Sequence, residues 1–561
     1  MKSCLRPPLF GLLALLILAQ PESWAQDAAP PAAASAPPPA ASAPADERAA
    51  AQPIFDILAF DIEGNTLLDG ARVERAVLPF MGPGRKMDDV EAARSALEQQ
   101  FQQAGYLTVG VDIPEQRVED GLVRLVVVQG RVGALYVSGS KYHAQGWIRE
   151  RVAEFAPGQV PDFNRAQQQL ALVNRSDDRR VQPILKPGRL PGTVDIDLQV
   201  DDHLPLSGTL EFNNQHALGT EPIKAIATLR YDNLHQRDHG LSLMVQGAPL
   251  KTSESQVVML GYSEPLDNGD SLSLSVLHSN SDIASLGGTQ VLGKGTTWGL
   301  RRSVALGENG QGPVLSLGFD YKRLSERARF DQAEIFATPL NYLPFQLGWS
   351  QGWADGPQRA QLSGNLVFAM RRLFERQVDC IHADGNQGRD DQFACKRRGG
   401  DGSFGALRLD GRWSLAPDPV GIALRLAVQG ASGPLASAEQ FSLGGADTVR
   451  GYLEGEAAGD QGWLGSIELR GPNLVPLLVV EGWRDLNLLA FIDGGRADTF
   501  QAATGQASQV PLGSAGLGLR GLGSSSAGGL EGALDFAWPL RATANTALRD
   551  LHLHARLQAR F

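Results

Sequence analysis

The chain runs to 561 residues, more than one hydrophobic core ordinarily organises, so two or three domains are expected. Its net charge of −11 argues against nucleic acid as a partner, and no stretch beyond the N-terminal segment approaches the ~20 uninterrupted apolar residues of a membrane helix. A membrane-crossing form would have to be a closed barrel, because only helices and barrels satisfy every backbone polar group in lipid.

Residues 1–25 read as an export signal. Lys2 and Arg6 make a basic start, residues 9–19 a short apolar core, and Ser23-Trp24-Ala25 a small-x-small cleavage site. Cys4 precedes that core and leaves with it. Residues 26–52 are dominated by Ala, Pro and Ser, a composition that cannot build a core and reads as a linker. Within it, residues 46–52 have room for a turn or two of helix.

From residue 53 to 203 the texture is soluble α/β, and one pattern occurs twice, over 53–130 and 131–203. In the first unit residues 54–62 are strand-like and Gly64-Asn65 turns. A helix is expected from Asp88, with Glu91 as its capping-box partner. Val90, Ala93, Leu97, Phe101 and Ala104 give that helix one apolar face and Gly105 ends it, before strands over 106–113 and 121–129. The second unit has a strand over 132–137, helical stretches near 147–155 and 163–173, and strands near 181–185 and 193–200. Each β-α-α-β-β unit is the size of a small domain; one larger α+β domain also fits the periodicity.

From residue 204 to 561 helical periodicity stops. Residues 271–276 alternate serine with an apolar residue, and Leu315, Leu317, Phe319 and Tyr321 alternate with Ser316, Gly318, Asp320 and Lys322. Side chains in a strand point to opposite faces by turns, so each segment has one apolar and one polar face. Sixteen such strands of about ten residues are expected, an even number that suits a membrane barrel, whereas soluble sheets rarely exceed ~10 strands. Tight turns at Asp267-Asn268-Gly269 and Pro417-Asp418-Pro419 alternate with long connections at 283–295, 325–339, 377–403 and 432–459. In the last eleven residues Leu551, Leu553, Ala555, Leu557, Ala559 and Phe561 share one parity, and His552, His554, Arg556, Gln558 and Arg560 the other. A strand of that kind ending on an aromatic residue resembles the last strand of a bacterial outer-membrane barrel, its odd face to lipid and its even face to a watery lumen. Long loops then face the cell surface, and the soluble units face the periplasm. Cys380 and Cys395 share one surface loop; in an exported chain a disulfide between them is expected, for which chain entropy suggests roughly 3 kcal/mol.

Two motifs stand out in this half. Gln440-Phe441-Ser442-Leu443-Gly444-Gly445 runs into Val449-Arg450-Gly451-Tyr452, and a later strand reads Phe491-Ile492-Asp493-Gly494-Gly495. They are similar to the VRGY loop and the F-x-D-x-G strand of the two-partner secretion transporters. On these motifs the chain resembles the TpsB type, the ShlB- and FhaC-like haemolysin secretion/activation family of the barrel-assembly superfamily. The resemblance covers nearly the whole mature chain: signal peptide, two POTRA domains (polypeptide-transport-associated), and sixteen strands ending in Phe.

The resemblance implies a mainly β protein, a 16-stranded antiparallel transmembrane barrel behind two small α/β POTRA domains. It implies a monomeric outer-membrane pore with its POTRA domains in the periplasm. There they would receive a large cognate secreted protein such as an adhesin or haemolysin, which the pore exports and in some members activates. No enzyme activity and no cofactor are implied. Val449, Arg450, Gly451, Tyr452, Phe491, Asp493 and Gly495 would dock the loop inside the barrel. Strand parity agrees: Asp493 shares the face of Asn487, opposite Leu486, Leu488, Ala490 and Ile492, so its carboxylate should enter the lumen and meet a desolvated arginine fork. The family's N-terminal plug helix is not expected, since proline costs ~3 kcal/mol inside a helix. An assembly factor of the same superfamily, or a passive porin or adhesin, are the alternatives.

Signals for chemistry fail one by one. Gly516-Leu517-Gly518-Leu519-Arg520-Gly521 matches a dinucleotide pattern but lies in an alternating strand with no helix after it. His552 and His554 would point into the lumen without a third metal ligand, and read as ordinary lumen polar groups.

Overall fold

The computed structural model describes residues 54–561 apart from 119, 177, 253, 267–268, 282, 287–288, 293, 308–311, 331–332, 382–386, 418, 479–480, 503–506 and 526–527. The expected signal peptide, the linker and the short helix at 46–52 lie outside the described residues.

The first soluble unit packs helices α1 (Gly70–Val77) and α2 (Met87–Gln103) on a three-stranded sheet. Ala59–Glu63 runs parallel to the central strand Leu122–Gln129, which pairs antiparallel with Val109–Asp112. α2 turns Val90, Leu97 and Phe101 onto Val123, Leu125 and Val127, the i, i+3, i+4 stripe meeting the alternate residues of the strand. Two expectations need correcting. The stretch 54–62 divides into Phe55–Ile57, paired with Gly82–Arg85, and Ala59–Glu63, paired in the main sheet. α2 begins at Met87 and its capping carboxylate is Asp89, which accepts from Lys86 N–H at 2.9 Å, because Lys86 is the last extended residue. Glu91 instead accepts from Arg94 Nε at 2.8 Å. α1 carries its own signal, Asp69, whose carboxylate accepts from Arg72 N–H at 2.8 Å as an N-cap.

The second unit repeats the plan, with Arg131–Ser138 parallel to Thr193–Asp202 and Arg179–Pro187 antiparallel beside it. Helices α3 (Gln145–Arg151) and α4 (Phe163–Val173) and the turn after α3 cover one face through Ile148, Val152, Phe155 and Leu170. This unit is bolted to the barrel. Arg179 forms a two-pronged ion pair with Asp238, and Gln236 Oε1 accepts from Ala144 N–H at 2.8 Å. Arg175 donates to Gly269 O at 3.1 Å in the next turn. The turn that receives most of these bonds holds His235, Gln236 and Asp238 at φ near +60°, a conformation that non-glycine residues keep only when their surroundings enforce it. Beside the junction, buried His143 places Nδ1 3.1 Å from Asp202 and Nε2 3.4 Å from Asp178, the second an ion contact without aligned hydrogen-bond geometry. Burial alone would lower the His143 pKa, but the two carboxylates outweigh it and raise it above the ordinary 6.5.

Sixteen strands among the described residues close into an antiparallel barrel. The first eight are β1 (Leu206–Asn213), β2 (Lys224–Leu234), β3 (His239–Gly247), β4 (Val257–Pro265), β5 (Ser271–Ser279), β6 (Gly295–Ala305), β7 (Val314–Phe330) and β8 (Ala333–Tyr342 with Phe345–Asp355). The rest are β9 (Gln358–Ala369), β10 (Phe404–Leu415), β11 (Gly421–Ala431), β12 (Gln461–Asn473), β13 (Trp483–Asp498), β14 (Gln509–Ser525), β15 (Gly528–Pro539) and β16 (His552–Arg560). β8 is broken at Leu343-Pro344: the upper half pairs with β7 from Lys322 upward and the lower half with β7 below it. Proline lacks the N–H that would continue the ladder. Leu317, Leu347, Leu426, Ile492 and Leu517 stand exposed on the outer wall, as an apolar band against lipid requires.

The long connections are more regular than alternation suggested. Residues 325–339 are not a loop, since β7 and β8 continue pairing through Ser325 and Pro339. Ile283–Leu286 and Thr289–Leu292 form a hairpin, as do Gln377–Ile381 and Gln387–Asp391. Helix α5 (Gln392–Lys396) then buries Phe393 against Tyr342 and Phe404 in the barrel mouth. Cys395 lies in α5 and is disulfide-bonded; the side chain of Cys380 lies outside the described residues.

Candidate functional site

The β11–β12 connection, loop 6, turns inward and fills the lumen instead of standing over it. Its stem is a short ladder, Phe441–Leu443 against Ala457–Gly459. Gly444 and Gly445, at φ +106° and +94°, then bend the chain, and Thr448 Oγ1 both donates to Gly444 O and accepts from Gly444 N–H at 2.8 Å. This knot presents Val449, Arg450, Gly451 and Tyr452 to the wall.

Arg450 is 4% exposed and Asp493, on β13, 1%. Nε and Nη2 of Arg450 meet the two carboxylate oxygens of Asp493 at 2.7 Å each, a fork-to-fork geometry that lysine cannot reproduce. The backbone N–H of Arg450 also donates to Asp493, at 3.2 Å. Nη1 reaches Glu468 of β12 at 2.6 Å, Nη2 reaches Ser466 Oγ at 3.3 Å, and Asp535 of β15 lies 3.9 Å away. Asp535 is shared with Arg520, at 2.7 and 2.9 Å. Three carboxylates and two guanidiniums thus form one network inside a low-dielectric wall, where an unpaired member would be expensive.

The other motif residues shape the cradle. The Phe491 ring lies under the Arg450 guanidinium. Val449 is packed with Leu443, Leu464 and Leu512. Tyr452 is fully buried, its hydroxyl 2.9 Å from Gly513 O and 2.8 Å from Arg541 O, two carbonyls that share its one proton. Gly451 sits at φ +89°, where a side chain would be strained. Gly495 lets the loop approach, because a Cβ there would stand 3.0 Å from Leu443 and 2.8 Å from Trp463 O.

Several partners carried no signal of their own in the sequence. His554 accepts the Gly451 N–H on Nε2 at 2.9 Å, so it is more than a generic lumen group. Glu439 and Asp460, both buried at the two ends of loop 6, tie it to the mouth. Glu439 accepts from Lys322 at 2.6 Å, Tyr342 at 2.7 Å and Arg408 at 3.0 Å. Asp460 accepts from Arg397, next to α5, at 3.0 Å and from Phe500 N–H at 2.6 Å. Beside the loop tip, a lumen cavity of about 850 Å³ remains between Arg359, Arg412, Arg425 and Glu468. Among the described residues no group of three metal-ligating side chains occurs, and the G-x-G-x-x-G stretch lies wholly within β14.

Comparison with known proteins places these features. The family model described as haemolysin secretion/activation protein ShlB/FhaC/HecB matches residues 192–521, and the ShlB-type POTRA domain model matches residues 55–130. The outer membrane transporter CdiB of Escherichia coli is 23% identical over 176 residues, 31% of this chain and 30% of that protein. The CdiB of Dickeya dadantii (strain 3937) is 22% identical over 193 residues, 34% of this chain and 33% of that protein. The matched segment thus spans about a third of these curated relatives. The solved structure of CdiB from Escherichia coli superposes with a TM-score of 0.60 at 18% identity, covering 92% of this chain and 93% of that one. That of BamA from Haemophilus ducreyi, lacking POTRA domains 1–3, gives 0.53 at 14% identity, with 91% and 100% covered. At these identities the structural likenesses speak for the fold.

Proposed function

The chain belongs to the ShlB/FhaC/HecB family of haemolysin secretion/activation proteins, outer-membrane transporters of two-partner secretion, and from that premise we propose that it exports one large cognate protein through this barrel. The single observation that carries the reading is loop 6: a hairpin from the cell-surface side, held inside the pore by an arginine whose hydrogen-bonding partners all belong to the barrel wall. A passive porin gains nothing from a buried ion network on a loop that blocks it. A transporter that must stay closed until its cargo arrives does. The two soluble units, residues 53–130 and 131–203, would stand in the periplasm as POTRA domains and receive the unfolded cargo, adding its strand to a free sheet edge. Arg179–Pro187 is such an edge strand, capped at Val181 by the Asn174 side chain, paired among the described residues with a strand on one side only, and set beside the periplasmic rim of the barrel by the Arg179–Asp238 pair. Folding of the emerging chain at the surface would give direction, since no nucleotide or proton gradient reaches this membrane. The cargo would be an adhesin- or haemolysin-like protein and the working unit a monomer.

Deleting the chain's gene should abolish the appearance of one large protein, encoded beside it, in the medium or on the cell surface. Restoring the intact chain should restore it, and restoring residues 204–561 alone, with the signal, should not. Undiminished export by that truncated form would overturn the role given to the soluble units.

A further inference from the structure

The barrel closes between β16 and β1, and that seam is short. β1 has eight residues and pairs with β16 over five positions, Thr209 to Asn213 against Arg560 to Arg556. Above the ladder, β16 meets the amide of Asn214, which donates to Leu553 O at 2.6 Å and accepts from Ala555 N–H at 2.8 Å. Its lumen face there is met by loop 6. Gly451 N–H donates to His554 on β16. Three residues later Glu454 N–H donates to His216 O at 3.0 Å, in the β1–β2 connection, and Glu454 bridges to Ala217. The Glu454 carboxylate lies 3.7 Å from Nζ of Lys224, the first residue of β2, and both side chains are buried. Among the described residues, Lys224 Nζ and the nearer Glu454 oxygen have no hydrogen-bond partner. Within four residues loop 6 therefore crosses from the last strand to the second.

We propose that residues 451–454 are a clasp across the closing seam, with His554, Lys224 and Glu454 as its positioning residues. Docking of loop 6 and closure of the upper seam are then one event. With the loop in place the Lys224 charge is compensated and the two sides of the seam are braced through Gly451 and Glu454; with it withdrawn, both bonds across the seam and the Lys224–Glu454 pair are lost together. The two conformations share one equilibrium, so whatever holds the seam favours the docked loop and the reverse. This rests on the docked-loop reading above.

The test uses the full-length protein in planar lipid bilayers, with assembly of each variant checked by heat-modifiable migration. Arg450→Ala is the reference for an undocked loop. Lys224→Met and His554→Ala should each raise the frequency of large openings about tenfold, within the range one coupled contact contributes. His554→Gln, which keeps an acceptor for Gly451, and the charge swap Lys224→Glu with Glu454→Lys should return most of the closure. A disulfide between Asn213→Cys and Arg556→Cys, which face each other at the upper end of the ladder, should suppress the openings of Lys224→Met. If Arg450→Ala opens the pore while Lys224→Met and His554→Ala stay as closed as the parent, the clasp is wrong and loop docking stands. If Arg450→Ala itself stays closed, the docked-loop reading fails and takes the clasp with it. Should Lys224→Met not assemble, the charge swap and the His554 pair decide alone.

Discussion

The guanidinium carbon of Arg450 lies 3.5 Å above the centroid of the Phe491 ring, while its fork is taken by Asp493 two positions along the same strand. Residues i and i+2 share one face of a strand, so β13 offers a platform and a carboxylate together. The ring's negative face and the acid both favour the cation, and the flat ring fixes the plane in which the fork must lie.

Loss of either partner of the buried pair leaves one uncompensated charge, a change that commonly costs 3–5 kcal/mol. Arg450→Ala and Asp493→Ala should each sharply reduce export of the cargo while the barrel still reaches the membrane. The double variant should be less than additive, because the second change removes a charge already alone. Arg450→Lys should rescue poorly. The measurement is cargo in the medium against assembled barrel, and normal export by Arg450→Ala would sink the mechanism.

Phe491→Leu keeps an apolar, smaller side chain but removes the ring face. A cation–π contact contributes ~0.5–2 kcal/mol, so export should fall less than in Asp493→Ala. Equal losses in the two variants would mean that Phe491 does more than offer its ring face to the cation.

At the junction with the barrel, His143 has a folded pKa above its ordinary 6.5. Its contribution is fully present below 6.5 and is lost as pH rises through the raised folded value. Burial would raise the pKa values of Asp178 and Asp202, but the facing His143 holds Asp178 and the backbone N–H groups of residues 141–143 hold Asp202 below 3.8, so their contribution is present above 3.8 and lost only on acidification. The junction should be tightest between about pH 4 and 6.5 and loosen on the alkaline side. Amide exchange at residues 140–145 and 235–238 of the full chain, corrected for intrinsic rates, should be faster at pH 8.5 than at pH 5.5. His143→Asn should flatten that difference; an unchanged difference would remove His143 as its source.

Cys380 and Cys395 should be oxidised to one another, and thiol titration after denaturation without reductant should find neither free. Such a bridge contributes roughly 3 kcal/mol by restricting the unfolded loop. α5 is also held by Phe393 and, through Arg397, by Asp460, so Cys395→Ser should leave the barrel assembled. Surface protease should then cut between residues 377 and 403 faster than in the parent, and an equal rate would show that the bridge adds nothing to the mouth.

Local physics was legible in the chain alone. Alternation shows which side chains of a strand share a face, so the barrel walls, the lumen-facing parity of Asp493 and the apolar outer band followed without coordinates. The stripe Val90, Leu97, Phe101 named the face of α2, though not its cap, because Asp88, Asp89 and Glu91 all suit the first turn and only the backbone of Lys86 chooses among them. The extent of β7 and β8 was hidden for a similar reason: charged residues on a strand that rises beyond the membrane read as loop. Barrel closure alone decided the rest. His554 meets Gly451 across 103 positions of chain, and Lys224, Glu439, Glu454 and Asp460 find their partners only when distant strands and loops converge in one lumen. No periodicity encodes such meetings, because the energy of a buried ion network depends on where the chain has folded and not on the spacing of its residues.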